Sequence, residues 1–281
     1  MTTTLRDAID SAAVTFTNAG IDSARCDAEE LAAYAAGTDR GRLVLLGPPG
    51  EEFFTRYRDL VAARRNRVPL QHLTGTAAFG PVTLRVGPGV FIPRPETEAM
   101  LEWALSQRLP DQPVIVDACT GSGALAVVLA RHWPAARVIG IDDSAAALGY
   151  ARRNCAGTAV ELLDADVTAP GLLPELDGRV DLMVANPPYI PDGVPLDPEV
   201  AQHDPHHALF GGGDGMSVIT AVVALAGRWL RPGGRFAVEH DDTTSAGTVE
   251  LLTGTGLFDA VRARADLTGR LRFVTARRKD S

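Results

Sequence analysis

Val114-Ile115-Val116-Asp117-Ala118-Cys119-Thr120-Gly121-Ser122-Gly123 is the stretch that decides the fold. Its three β-branched apolar residues read as a buried strand. The glycine turn then opens a helix that runs to His132. Strand, turn and helix in this order form the first arm of a parallel βαβ unit. The alternation continues downstream. Val138–Ile141, Val160–Leu163 and Val180–Ala185 read as strands, and Ala145–Asn154 and Ser217–Leu230 as helices. Arg235–Glu239 is a strand after the Pro232-Gly233-Gly234 turn, Thr243–Gly254 a helix, and Arg272–Ala276 the last strand. Residues 96–281 therefore read as an α/β domain with a mainly parallel, doubly wound sheet.

Upstream the pattern changes. Residues 1–68 read as a small helical domain, with Leu5, Ile9, Ala12, Ala13 and Phe16 at helical spacing. Another helix starts near Glu51, with acids in its first turn and Arg64, Arg65 and Arg67 towards its end, which suits the helix dipole. Arg56, Arg58, Arg64, Arg65 and Arg67 read first as a solvated face, with a protein or nucleic-acid contact as alternatives. Residues 69–95 read as a β-hairpin linker, because Val82-Thr83-Leu84-Arg85-Val86 alternates between turn residues. A helix is expected from Pro95.

The bulk numbers exclude several classes. At ~150 residues per domain, 281 residues make one large domain or two. The net charge of −8 and pI near 5.3 argue against a coat for nucleic-acid backbone. Three scattered cysteines form no metal-ligand pair and suit a reducing cytosol. No signal-like N-terminus or long apolar run is present, so a cytoplasmic protein without a membrane span is expected.

Three strand ends carry ligand-binding chemistry, since ligands of such sheets sit beyond the carboxyl ends of the strands. Cys119, Thr120, Gly121, Ser122 and Gly123 bring backbone close to a ligand at a helix N-terminus. Asp142, nineteen residues after Gly123, is placed to accept both hydroxyls of a ribose, with a helix N-cap as the bland alternative. Asp166 and Val167 suit an adenine amino group and ring, or a plain solvated loop. The glycine spacing is not G-x-G-x-x-G, which favours a mononucleoside such as S-adenosylmethionine over a dinucleotide. Asn186-Pro187-Pro188-Tyr189 follows the strand ending at Ala185. Prolines stiffen the loop and free its carbonyls. The Asn186 side-chain oxygen and the Pro187 carbonyl are placed to accept both hydrogens of a planar NH2 group, with Tyr189 against its plane. Positioning and dehydration then do the work of a strong base. His203, His206 and His207 with Asp204 read as loop residues rather than a metal cluster. Gly211–Gly215 reads as a mobile loop leading into a helix.

Together with Pro69-Leu70-Gln71-His72-Leu73-Thr74-Gly75, Phe91-Ile92-Pro93-Arg94-Pro95-Glu96-Thr97-Glu98 and His207-Ala208-Leu209-Phe210-Gly211-Gly212, these segments resemble the release-factor glutamine N5-methyltransferases over nearly the whole chain. The resemblance implies a Rossmann-like class I methyltransferase domain with a seven-stranded sheet. It implies S-adenosyl-L-methionine as cofactor, S-adenosyl-L-homocysteine as product and no metal. The acceptor would be the Gly-Gly-Gln glutamine of class I peptide-chain release factors, gripped in part by the helical domain. Asn186, Pro187, Pro188 and Tyr189 would bind that glutamine, and Asn186 would also line the cofactor. A monomer without direct nucleic-acid binding is expected. The family's usual glycine is Cys119 here, where a positive φ would be costly. Adenine-N6 methylation of DNA or RNA is the nearest alternative, and a non-catalytic binding module the next.

Overall fold

The computed structural model describes residues 4–280. In chain order its helices and strands begin with α1 (Leu5–Asn18), α2 (Ala24–Ala36), α3 (Glu51–Arg65), α4 (Leu70–Thr74), β1 (Thr76–Phe79) and β2 (Val82–Arg85). Next come α5 (Pro95–Leu105), β3 (Val114–Ala118), α6 (Ala124–His132), β4 (Arg137–Asp142), α7 (Ala145–Asn154) and β5 (Glu161–Asp164). The chain continues through β6 (Val180–Ala185), α8 (Pro198–His203), α9 (Ser217–Trp229), β7 (Leu230–Glu239), α10 (Ser245–Gly254), β8 (Phe258–Ala265) and β9 (Leu271–Arg278). Two compact units result. One takes residues up to Thr76 together with Leu196–His203; the other takes Ala77–Pro195 and the chain from Asp204.

The first unit is helical. A capping box starts α1: Asp7 N–H donates to the Thr4 hydroxyl oxygen, and Thr4 N–H to the Asp7 carboxylate, both at 3.1 Å. Ile9, Ala12 and Phe16 then face Leu31, Ala32, Phe53 and Tyr57 in one core. Arg64 is buried in this unit, which corrects its reading as part of a solvated face. Its guanidinium donates to Asp27 at 2.7 Å, to Glu199 at 2.6 Å and to the Val68 carbonyl at 3.0 Å. Arg67 grips both Asp197 oxygens at 2.9 Å. These two arginines attach the excursion 196–203 to the helical unit.

The second unit is built on a seven-stranded sheet of order β5-β4-β3-β6-β7-β9-β8. The strands from β5 to β7 pair in parallel, and β9 runs antiparallel to both β7 and β8. Strands β3, β4 and β6 are almost wholly buried, as parallel strands covered on both faces must be. Side chains alternate between two cores. Ile115 and Val138 join Leu125, Leu129 and Met100 on one face. Val116 and Ile139 join Met183, Trp229 and Phe236 on the other.

The sequence reading departs from this fold at three places. Residues 69–95 contain the helix α4 as well as the short hairpin β1–β2. β7 starts at Leu230, and its Pro232-Gly233-Gly234 turn is looped out where the register with β6 jumps from Val180↔Leu230 to Leu182↔Arg235. β8 was not foreseen, because Arg262 and Arg264 make this edge strand read as polar. Among the described residues no helix is long and apolar enough to cross a membrane.

Arg64→Met should destabilise the helical unit by about 3–5 kcal/mol, because Asp27 is left buried without its counter-ion. Urea unfolding of the full chain, followed by amide exchange in α2 and α3, measures this. Unchanged protection there would mean that the ion pair contributes nothing.

Candidate active site

Sheet register brings the strand ends into one row. Asp142 pairs with Asp164, Ala118 with both Ile141 and Ala185, and Ala185 with Val238. Neighbouring strands lie about 4.8 Å apart, so the β4 and β6 ends stand about 10 Å apart with the 119–123 turn between them.

Asp117 shapes that turn. One carboxylate oxygen accepts the Thr120 hydroxyl at 2.6 Å and the Ala126 N–H, in the first turn of α6, at 3.0 Å. Its other oxygen, Oδ1, is buried with no hydrogen-bond partner. Burial raises the Asp117 pKa to about 7 against these two donors. Thr120 N–H continues the frame onto the Ile141 carbonyl at 2.9 Å. Cys119 is forced to φ 60°. That is the left-handed region, where a non-glycine residue costs about 1–2 kcal/mol. Burial and the surrounding acids Asp142 and Asp117 push its thiol up, so it stays protonated.

Asp142 is 9% exposed. Each of its oxygens accepts one backbone N–H, from Gly121 at 2.8 Å and from Ser144 at 2.9 Å. Burial raises its pKa despite those donors. The α7 cap is Ser144, whose hydroxyl accepts from Ala147 N–H. Asp142 is thus left as a strand-end carboxylate with lone pairs to spare. Two features fit a nucleoside bearing an amino acid: this carboxylate for hydroxyls, and the unpartnered Asp117 Oδ1 for an ammonium. Val167 is buried, while Asp166 is exposed. Asp166 Oδ1 accepts the Thr168 N–H and hydroxyl, both at 2.7 Å.

The acceptor loop begins at Asn186. Its Nδ2 donates to the Thr97 hydroxyl oxygen at 3.2 Å. The Thr97 hydroxyl donates to Glu239 Oε2 at 2.7 Å, and the Tyr189 hydroxyl to Glu239 Oε1 at 3.0 Å. Thr97 is 4% and Glu239 1% exposed. Burial raises the Glu239 pKa to about 7 against both donors and against Arg272, which favour its charge. Sequence reasoning did not single out Thr97, and it left Glu239 without a role. Thr97 sits inside the Pro95-Glu96-Thr97-Glu98 segment, which gives that segment a physical purpose.

Gly211–Gly215, read from sequence as a mobile loop, is packed against this loop at Gly211 and Gly215. Ile190 N–H donates to the Leu209 carbonyl and Gly211 N–H to that of Ile190, both at 2.9 Å. A Cβ on Gly211 would lie 2.5 Å from the Pro188 carbonyl oxygen, and one on Gly215 would overlap that of Tyr189. His206 stacks on Phe210 at 4.2 Å. Among the described residues no group of three His, Cys, Asp or Glu side chains is arranged to hold a metal ion.

Gly211→Ala should lower turnover by about 100-fold, since an ångström of loop displacement is enough for that. Cofactor affinity, measured by calorimetry, should hold, and full activity would show that the loop yields. Cys119→Gly should stabilise the fold by roughly 1 kcal/mol through relief of the left-handed strain. A lowered urea midpoint would show that side-chain packing outweighs it.

Comparison with known proteins identifies the family. The PrmC N-terminal domain family matches residues 7–75, and a methyltransferase domain family matches residues 115–194. A release factor glutamine methyltransferase of Mycobacterium tuberculosis is 72% identical over 279 residues, 98% of this chain and 92% of that protein. A 4-amino-L-phenylalanine/4-methylamino-L-phenylalanine methyltransferase of Streptomyces pristinaespiralis is 42% identical, covering 93% of this chain and 91% of that protein. Among solved structures, a 16S rRNA N2 methyltransferase of T. thermophilus in complex with AdoMet and guanosine aligns with a TM-score of 0.50. It is 25% identical over 73% of this chain and 50% of that one. With near-full-length identity of this order, the chain belongs to the release factor glutamine methyltransferase family.

Proposed function

We propose that this chain methylates the side-chain amide nitrogen of the glutamine in the Gly-Gly-Gln motif of class I release factors, using S-adenosyl-L-methionine. The observation that carries this reading is the row of strand ends, which sets Asn186 one strand from the 119–123 turn and two strands from Asp142. This row supports a reading in which a nucleoside donor and a planar nitrogen meet at the carboxyl ends of the strands. When bound, S-adenosyl-L-methionine supplies an electrophilic methyl group. Asp142 would accept its ribose hydroxyls, the Cys119–Gly123 backbone would hold its amino-acid end, and Asp166 and Val167 would take the adenine. Asn186 Oδ1 and the Pro187 carbonyl accept the amide hydrogens, and they stabilise the positive charge that builds on nitrogen during attack. Pro188 keeps the loop rigid, and the Tyr189 ring limits the tilt of the amide plane. No side chain of the site is required as a strong base, since the nitrogen becomes acidic once it is methylated.

The Streptomyces pristinaespiralis relative is named for an aryl amine and matches 93% of this chain, so a near-full-length match does not by itself choose between planar nitrogens. Identity supports the protein acceptor: 72% to the release factor glutamine methyltransferase against 42% to the aryl-amine enzyme.

Purified protein should transfer labelled methyl to a release factor, and replacing the glutamine of its Gly-Gly-Gln motif by alanine should abolish the label. Persistent labelling of that variant would sink the assignment, as would preference for 4-aminophenylalanine. Asn186→Ala should remove turnover with cofactor binding retained, whereas Asp142→Ala should weaken cofactor binding in calorimetry.

A further inference from the structure

The hydrogen bonds behind Asn186 have a direction that the atoms themselves impose. An ionised carboxylate only accepts, and a hydroxyl carries one proton. Glu239 takes the Thr97 proton on Oε2 and the Tyr189 proton on Oε1. Thr97 then has only lone pairs left to offer, so the end of the Asn186 amide that meets it has to be the NH2 end, as observed at 3.2 Å. With Nδ2 committed to Thr97, Oδ1 is turned away from it. The reversed amide would set an oxygen against the Thr97 lone pairs in a site where Thr97 is 4% exposed, at the cost of a buried unmade hydrogen bond.

We infer that Glu239 and Thr97 are positioning residues that fix which end of the Asn186 amide meets the acceptor nitrogen. This rests on the acceptor role proposed above for Asn186. Neither residue touches the substrate. Their effect is to keep an oxygen, rather than an NH2 group, facing the hydrogens of the planar nitrogen. The same arrangement tells why Tyr189 is not a proton donor to the substrate: its proton is held by Glu239.

The network also has a protonation state in which it fails. A neutral Glu239 carries a proton that it can donate to Thr97. The Thr97 proton is then released towards Asn186, and the amide is free to reverse. The groups that act on Glu239 are Thr97 and Glu96 on α5, Tyr189 after β6 and Arg272 on β9, while His240 and Asp241 follow it in the chain and His240 pairs with the Asp241 carbonyl. Burial raises the carboxyl to about 7, Glu96 works in the same direction, and Thr97, Tyr189 and Arg272 oppose it. The competent form is the ionised one, so activity from this source is complete at high pH and declines as pH falls through about 7. Burial lowers the neighbouring His240, so its own titration lies below the usual histidine range. Asp117 also titrates near 7. Its place at the cofactor turn makes it report in cofactor affinity, which saturating cofactor removes.

The test measures kcat at saturating S-adenosyl-L-methionine and release factor from pH 5.5 to 8.5 for wild type, Thr97→Val, Thr97→Ser and Glu239→Gln. Thr97→Val should lose about 10- to 100-fold in kcat, the scale of a misplaced contact group, with cofactor affinity within about 2-fold. Thr97→Ser keeps the hydroxyl and should recover to within about 3-fold of wild type on the same ground. Glu239→Gln offers one acceptor and one donor to two hydroxyls that both need an acceptor. It should lower kcat and flatten the limb near pH 7. A second readout needs no turnover: exchange of the Asn186 side-chain NH2 protons, followed by nitrogen-15 NMR, should be slow in wild type and faster in Thr97→Val and Glu239→Gln. Wild-type kcat in Thr97→Val, equal damage in Thr97→Ser, an intact acid limb in Glu239→Gln, or unchanged NH2 exchange would each overturn the inference. If Thr97→Val does not fold, the Thr97→Ser and Glu239→Gln arms still decide. A wild-type protein that leaves release factors unlabelled yet shows the predicted NH2 exchange would refute the proposed substrate and spare the positioning network.

Discussion

The constraint on which the catalytic unit depends is the burial of Asp117 at the end of the central strand. A carboxylate that is 1% exposed has to find donors, and it finds them in the Thr120 hydroxyl and the first turn of α6. Those two bonds give the Cys119–Gly123 turn one shape. That shape sends Gly121 N–H onto Asp142 and places Cys119 in the left-handed region. One buried acid thus links β3, α6 and the end of β4. It does so against folding stability. With a folded pKa of about 7 and an unfolded value of 3.8, Asp117 holds its proton more tightly when folded. Its contribution is best below the unfolded value and is lost as pH rises towards 7. Glu239 has the same sign, between 4.5 and about 7. Two buried acids that oppose folding at neutral pH are poor candidates for purely structural roles.

The sheet divides the labour between them. On one side of the row, β3, β4 and β5 end in the turn, Asp142 and Asp164, a set suited to hydroxyls and a nucleoside. On the other, β6 and β7 end in Asn186 and Glu239, a set of acceptors backed by a carboxylate. Parallel pairing is what makes this possible, because every one of these strands ends at the same edge. Gly211 and Gly215 complete the acceptor side through close backbone contact. No side chain fits between these two residues and the carbonyls of Pro188 and Tyr189. Rigidity of the acceptor loop therefore comes from two prolines within it and from backbone packed against it.

Much of this was legible in the sequence, and the parts that were not share a cause. The βαβ alternation, the turn at 119–123, Asp142 and the Asn186 loop are local signals carried by neighbouring residues. Thr97 meets Asn186 across 89 positions and Glu239 across 142, so no spacing rule connects them. The resemblance singled out the segment around Thr97 without saying what it does. Arg64 and Arg67 read as solvated because their partners Glu199 and Asp197 lie 135 and 130 positions away. β8 was lost for another reason. Arginines at alternate positions of an edge strand carry no apolar signal, even though the opposite face, with Phe258, is core.

On the proposed roles of Asn186 and Pro187, the acceptor side offers a route by which a poor nucleophile is methylated without a general base. An amide nitrogen gains positive charge as it attacks, and the groups nearest to it by this geometry are oxygen acceptors. Behind them lies the Glu239 charge, which is not free to take a proton from the substrate, because both of its oxygens already hold hydroxyl protons. Its influence passes through Thr97 to the orientation of one amide. In a low-dielectric site an oriented dipole backed by a buried negative charge favours the developing cation more than it favours the neutral ground state. The unfavourable burial of Glu239 and the selectivity for a charge-developing nitrogen are therefore two consequences of one placement.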